Sequence, residues 1–365
     1  MLMTRRIRLP FKVKRPILAC GADLKGAFAM ARGNEAVLVD GFGDLADLDN
    51  FTRYEKAVKA ELKKMRIKPG IVACDLHPGY FSTRFAETLH PIPCTLYPVQ
   101  HHEAHVASAI VDNAIKGRVI GVAFDGTGFG HDGNIWGGEF FVGDLRKLRR
   151  AAHLDYIAMP GGDKAVLQPW RMGASYLYNI KNRRSPFKKQ KLVETMISAN
   201  INSPLTSSMG RLFDAVGSLV FAREDIVKEA ELPMELERIV IPSEDKYGFS
   251  LKKRPDGTII DASKIIEGVM KDLSKRSGKG SISAKFHNTI SDIIVTVCAE
   301  LSKRFNIKKV VLTGGVFQNR YLSERAAGLL KRKGFTVYRH SGVPANDSGI
   351  PIGQIAIAEA RAGCA

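Results

Sequence analysis

VIGVAFDGTGFGHDGNIWGGEFFVGDL, residues 119–145, reads as an apolar strand, a glycine-rich turn at Asp125-Gly126-Thr127-Gly128-Phe129-Gly130, and a second hairpin strand. Runs of β-branched, aromatic and small residues suit paired strands, and glycines suit the turn between them. The same plan occurs earlier. ILACGADLKGAFAMARGNEAVLVD, residues 17–40, predicts strand, turn and strand, with Gly21 and Gly26 as punctuation and Arg32-Gly33-Asn34 as a hairpin turn. Between these openings, Phe51–Met65 has helical spacing and stops at Lys68-Pro69-Gly70. GIVACDL follows as a short buried strand, then a helix from about Ser82 to Leu89, the strand CTLYPV, and a helix from about His101 to Ile115. Beyond residue 145 come a long helical region from Gly162 to Val220, a helix from about Ser283 to Phe305, and the strand VVLTGG. Strands alternating with helices predict α/β units with a mostly parallel sheet.

Two units that open alike predict a duplicated, actin-like α/β fold with a cleft between its lobes. The expected division is a basic N-terminal extension over 1–15, an N-terminal lobe over 16–117, and a C-terminal lobe over 118–365 with a helical insertion at about 160–300. A length of 365 residues suits two domains of roughly 100–200 residues each. With 45% hydrophobic and 25% charged residues, collagen-like, largely disordered and membrane-spanning classes are excluded. No apolar run approaches the ~18 residues a membrane helix needs. The basic N-terminus lacks the apolar region of a secretory signal. Cys20, Cys74, Cys94, Cys298 and Cys364 are isolated, with no C-x-x-C pair, as expected of reduced thiols in a cytoplasmic protein with no membrane partner. The net charge of +18 predicts anionic partners: nucleic acid, nucleotides or acidic protein surfaces. The excess gathers at Arg5–Arg15, Arg146–Arg150, Lys181–Lys191, Lys252–Arg254 and Lys331–Lys333, with Phe11 and Phe187 as the sole aromatics among them, a pattern that solvated faces share.

The sharpest chemical signal is QHHEAHVASAI, residues 100–110. On a helix, His101 and His105 share one face, the geometry two imidazoles need to bind one metal ion; hydrogen-bonded histidines use the same spacing. Two imidazoles do not close a site, and Asp125 and Asp347 stand beside glycines at apparent strand ends. A His-His-Asp-Asp set suits Fe, Zn or Mn and leaves positions for an oxygen-rich substrate. Three glycine turns, at Gly21 to Lys25, Asp125 to Gly128, and Thr313-Gly314-Gly315, allow backbone N–H groups to approach phosphate, and Lys25 adds a cation. Each turn alone also serves as an ordinary tight turn. No Walker A pattern and no G-x-G-x-x-G opening a helix is present. PGGDKAVLQPWRMG, residues 160–173, sets Lys164 and Arg171 in a constrained loop, facing a ligand or anchoring structure. SSMGRLFDAVGSLV, residues 207–220, offers Gly210 as a close approach to a flat ring and Asp214 as an acceptor for ribose hydroxyls, or as a solvated acid. No G-x-S-x-G elbow is present, and no cysteine adjoins a histidine.

CGADLK, ACDLHPGYFSTRFAE, VQHHEAHVAS, FDGTGFGHDGNIWGGEF, PGGDKAVLQPWRM, SSMGRLFDAV, LTGGVFQN and NDSGIPIGQ, in that order over about residues 5–360, resemble the carbamoyltransferase part of the HypF hydrogenase-maturation family. tRNA threonylcarbamoyladenosine synthases and antibiotic O-carbamoyltransferases share the fold and the HxxxH idea, but PGGDKA with PWRM, and DGNIWGGEF, lean toward HypF. The resemblance implies an ASKHA (actin-like ATPase, ribonuclease H-like) fold with a divalent metal (Fe, Zn, Mn or Mg) and an ATP-derived nucleotide (carbamoyl-adenylate, AMP or ATP) in the cleft. In that family, carbamoyl-adenylate made from carbamoyl phosphate and ATP passes its carbamoyl group to the C-terminal cysteine of HypE, and dehydration leads to the cyanide ligands of nickel–iron hydrogenase. Carried onto this sequence, His101, His105, Asp125 and Asp347 would hold the metal. Lys25, Gly126, Thr127, Gly128, Gly210, Asp214, Gly314, Gly315 and Asn319 would surround the nucleotide, with Lys164 and Arg171 as candidate catalytic contacts to the carbamoyl end. Full-length members resemble a longer chain with acylphosphatase-like, zinc-binding and YrdC-like modules ahead of this region. The expectation is therefore a piece of such a protein, or a naturally split one with a separate YrdC-like/acylphosphatase partner, unable to make carbamoyl-adenylate alone. The competing expectations are another acceptor, tRNA or a small-molecule hydroxyl, and a non-catalytic nucleotide-binding module.

Overall fold

The computed structural model describes residues 2–89, 94–178, 180 and 185–362; positions 181–184 of the third basic run and Cys364 lie outside these. The first half runs β1 (Met3–Arg8), β2 (Ile17–Ala19), β3 (Ala27–Arg32), β4 (Glu35–Asp40), α1 (Leu48–Met65), β5 (Ile71–Asp75), α2 (Phe81–Thr88), β6 (Thr95–Val99) and α3 (His101–Asp112). The second runs β7 (Val119–Phe129), β8 (Ile135–Asp144), β9 (Lys147–Leu154), β10 (Ile157–Ala158), α4 (Lys164–Leu167), α5 (Trp170–Tyr178), α6 (Gln190–Ser198), β11 (Leu205–Thr206), α7 (Met209–Phe221), α8 (Glu231–Arg238), β12 (Ser250–Lys253), β13 (Thr258–Asp261), α9 (Ser263–Ser274), α10 (Lys279–Phe305), β14 (Lys309–Thr313), α11 (Arg320–Arg332), β15 (Thr336–Tyr338) and α12 (Ile350–Ala362).

The duplication is topological. The first sheet contains β4-β3-β2-β5-β6 and the second β9-β8-β7-β14-β15: in each, three antiparallel strands continue into two parallel ones. This is the duplicated actin-like α/β fold expected, although the sheets are mixed rather than mostly parallel, because each unit opens with a meander whose short turns force antiparallel pairing. The insertion α4 to α10 falls between β9 and β14 and contributes the β12–β13 hairpin, which extends the second sheet beside β9.

Three expectations change. Met3–Arg8 is no extension: it pairs with Asp40–Glu35 as an edge strand, and the Arg5 guanidinium pairs with the Asp40 carboxylate. The glycine run at 125–130 is mostly not a turn, since β7 continues to Phe129 across a register shift between Phe124 and Gly128, and the reversal comes at Gly130 to Gly133. Finally, a cut at 117/118 does not separate the packing units. Helix α3 packs on β7, β8 and β14 of the second sheet, α12 packs on β2, β3 and β5 of the first, and the two helices pack on each other. Their sequences explain it. Helix α12 (IPIGQIAIAEARA) is buried from Ile350 to Ala358 and α3 from His101 to Val111, as befits helices covered on all sides. Gly353 permits the contact, because a Cβ there would stand 1.8 Å from the Ala104 carbonyl oxygen. Among the described residues, no helix is long and apolar enough to cross a membrane.

Candidate metal centre and nucleotide cleft

The exchange of α3 and α12 brings distant parts of the chain to one point. Gln100 caps α3, its side-chain oxygen accepting from the Glu103 N–H at 2.9 Å. That starts the helix at His101, so His101 and His105 present Nε2 to the same side. Asp125 arrives from β7, and Asp347 from the single helical turn Asp347–Gly349 that leads into α12. His105 Nε2 lies 2.9 Å from Asp125 Oδ2 and 3.5 Å from Asp347 Oδ1; His101 Nε2 lies 3.4 and 3.7 Å from the same two oxygens. One ligand atom from each of the four buried residues falls within 4.8 Å of the others. His101 Nε2 is buried without a hydrogen-bond partner among the described residues, as a nitrogen reserved for a cation would be. The donor set and this orphaned nitrogen fit a divalent metal.

Charge reinforces the point. Burial works against charging His101, yet Asp75, Asp125 and Asp347 together hold its pKa well above the usual imidazole value; His105 is raised the same way by Asp125 and Asp347. Burial alone would raise the Asp125 and Asp347 carboxyls, but the two imidazoles hold both below the usual range. Two buried carboxylates thus require positive charge, which imidazolium protons or a divalent cation can supply. His102 faces away, and burial with His101 nearby pushes it down to about 3, so it stays neutral.

Asp75 is a functional residue that the sequence reading missed. At the end of β5, its Oδ2 lies 2.8 Å from His101 Nδ1, which fixes the tautomer that turns the Nε2 lone pair toward the cluster. In the sequence Asp75 is marked only as the acid near the end of the buried strand GIVACDL; its place beside His101 comes from the register that sets it opposite Val99, two residues before His101. Asp75→Asn, which weakens this orientation while conserving shape, is expected to reduce metal affinity by about 10- to 100-fold, measured by competition with a chromogenic chelator.

Beside the cluster lies a cavity of about 400 Å³ whose wall includes Lys25, Gly126, Thr127, Gly210, Asp214, Gly315 and Asn319 together with Asp125 and Asp347. Asp23, in the turn before Lys25, ties that turn to α2 by accepting from Phe81 N–H (2.7 Å) and Ser82 N–H (2.9 Å). Ser208 caps α7, and Gly210 lets the helix back onto β7, since a Cβ there would stand 2.9 Å from Gly126 Cα. The Gly315 N–H donates to Asp125 Oδ1 at 3.1 Å, joining the third glycine turn to the cluster.

Other expected contacts go elsewhere. Gly128 makes room for the histidines, a Cβ there falling 2.5 Å from His102 Cε1. Gly314, at φ +98°, lies against the Phe124 carbonyl and does not line the cavity. Asn319 reaches the wall, but its Oδ1 caps α11 by accepting from Leu322 N–H at 2.9 Å and its Nδ2 stands 2.8 Å from His287 Nε2, so the fold occupies both ends of the amide. Lys164 begins α4 and Arg171 lies on α5, and neither lines the cavity. Arg171 Nε donates to Gln168 Oε1 at 2.6 Å and its guanidinium lies 5.0 Å from the Trp170 ring centre, so the constrained loop anchors the inserted helices. Arg211 and Glu229, which the sequence reading passed over, do line it. Burial, opposed by Arg211, pushes the Asp214 carboxyl up to about 6.

Residues 121–354 match the family described as carbamoyltransferase, Kae1-like domain, second subdomain, and residues 12–112 match the HypF Kae1-like domain. Carbamoyltransferase HypF2 of Cupriavidus necator is 31% identical over 95% of this chain and 47% of its own length. Carbamoyltransferase HypF of Rhizobium leguminosarum bv. viciae is 35% identical over 94% of this chain and 45% of its own. The chain thus spans about half the length of these curated relatives, whereas a carbamoyltransferase HypF homolog of Cupriavidus necator, 30% identical over 94% of this chain, is covered over 91% of its length. Full-length HypF in its phosphate- and nucleotide-bound crystal form superposes with a TM-score of 0.93 at 38% identity, covering 97% of this chain and 57% of that one.

Proposed function

The chain belongs to the HypF carbamoyltransferase family, and on that premise we propose that its cleft transfers a carbamoyl group from carbamoyl-adenylate to the C-terminal cysteine of a HypE-type acceptor protein, in the synthesis of cyanide ligands for nickel–iron hydrogenase. The observation that carries this reading is the buried two-histidine, two-aspartate cluster opening directly onto a cavity of about 400 Å³, within the usual size range of small-ligand sites. His101, His105, Asp125 and Asp347 would hold the divalent metal, Fe, Zn, Mn or Mg. When bound, such an ion supplies Lewis-acid polarisation of carbamoyl or phosphate oxygens.

The chain's own residues do the rest. Asp75 orients His101, Lys25 supplies a positive charge to the cavity, and Gly126, Gly210 and Gly315 let the three backbone segments of its wall close around the ligand and the cluster. Asp214, the expected ribose acceptor, stands in the same wall with its Oδ2 3.2 Å from Arg211 Nε. The acceptor's thiolate sulfur forms a bond to the carbamoyl carbon, the carbon–oxygen bond to phosphate breaks, and AMP leaves with that electron pair. The nucleophile comes from the partner: Cys20, Cys74 and Cys298 are buried here, burial pushes the Cys74 thiol up to about 12, and the half-buried Cys94 does not line the cavity. The donor itself would come from an adenylate-forming, YrdC-like activity.

A single-turnover assay with presynthesised, radiolabelled carbamoyl-adenylate and a HypE-type protein tests this. Label is expected on the acceptor's terminal cysteine. Folded, metal-loaded protein that transfers no label would sink this reading and make tRNA the next acceptor to try.

A further inference from the structure

Arg211 lies in the cavity wall with 2% of its surface exposed. Among the described residues, its Nε and Nη1 have no hydrogen-bond partner. The neighbouring acids satisfy it poorly: Asp214 Oδ2 is 3.2 Å from Nε but not in hydrogen-bonding alignment, and Glu229 Oε1 is 3.7 Å from Nη2. Neither Asp214 oxygen has a hydrogen-bond partner among the described residues. Buried charged groups with open donors are rare in folded proteins, and a ligand is one of the few things that can fill them.

Position narrows the ligand. Glu229 Oε1 and Arg211 Nη2 stand 3.3 and 3.4 Å from where a side chain on Gly126 would begin. The bare glycine therefore leaves room for this paired edge of the guanidinium beside the Asp125–Gly126 backbone, on the metal side of the cavity. A guanidinium is planar and offers paired N–H groups that match two oxygens of one phosphate. The same wall holds Asp214, Glu229 and Asp347, which would repel an anion unless a fixed cation faced it.

We propose that Arg211 recognises the phosphate of a nucleoside monophosphate, or of its acyl derivative, and that Asp214 and Glu229 are the carboxylates that position it. This rests on the nucleotide reading given above. It also separates two duties within the cavity: the phosphate is held at Arg211 beside the metal cluster, and the nucleoside by the remaining wall.

The test is calorimetric titration of the metal-loaded full chain with AMP and, separately, with adenosine. Arg211→Met is expected to weaken AMP binding by about 10- to 100-fold, the size of a lost charged hydrogen-bond pair, while adenosine binding changes by less than about threefold. Arg211→Lys, which keeps the charge but not the fork, should fall between the wild type and Arg211→Met for AMP, and carries the test if Arg211→Met does not fold. Unchanged AMP affinity, or equal losses for both ligands, would overturn the proposal and leave Arg211 as a structural partner of Asp214. Wild type that binds adenosine and AMP equally also overturns it while sparing the nucleotide reading. Wild type that binds neither overturns both.

Discussion

Replacing His101 and His105 together with alanine is expected to lower bound divalent metal from about one equivalent to less than about a tenth, and to lower carbamoyl transfer by at least about 100-fold. The effect is electrostatic as much as coordinative. Asp125 and Asp347 are buried and share their positive counterparts with these two imidazoles. Without the imidazoles, two carboxylates remain, too few donors to hold a transition metal tightly. Metal content after dialysis checks this, with circular dichroism to show that the chain is folded; His105→Gln, closer in shape, is the companion variant. Stoichiometric metal in both variants would refute the site. The same competition sets a pH dependence. Because the metal-free imidazoles have raised pKa values and a metal binds only neutral imidazole, apparent affinity falls as pH drops through those raised values. Each imidazole that takes a proton costs about tenfold per pH unit.

Gly353→Ala is expected to destabilise the chain by about 3 kcal/mol or more and to reduce metal binding in whatever remains folded. The added methyl would meet the Ala104 carbonyl oxygen at 1.8 Å, and that oxygen belongs to helix backbone that cannot rotate aside. Relief requires α3 and α12 to move apart. Since α3 carries His101 and His105 while Asp347 sits at the turn opening α12, separation of the helices pulls the ligand set open. A lower midpoint in thermal unfolding, together with weaker metal retention than wild type, is the expected pair of results. Wild-type stability and metal content would show that the contact between the helices does not set the site.

Much of this protein is written in short stretches of its sequence. The repeated strand-turn-strand openings at 17–40 and 119–145 announced the duplication, and the four-residue spacing of His101 and His105 placed two imidazoles on one helical face. Such features are legible because period and spacing act within a single element. Asp125, Asp347, Lys25, Gly210 and Asp214 were also picked out locally, by the residues beside them.

What tertiary structure alone decided is how those elements meet. Asp75 and His101 are 26 positions apart and become partners only because β5 pairs with β6 in parallel register. The charges of Lys164 and Arg171 had the right chemistry for a ligand, yet they do not line the cavity, whereas Arg211, which no local motif singles out, does. The edge strand at Met3–Arg8 depended on a free side of β4. Above all, α3 and α12 lie across each other's sheets. Local sequence makes α12 almost continuously apolar and gives α3 its histidines, but which surfaces cover the two helices is settled by the lowest free energy of the whole packed chain, and here that choice assembles the site.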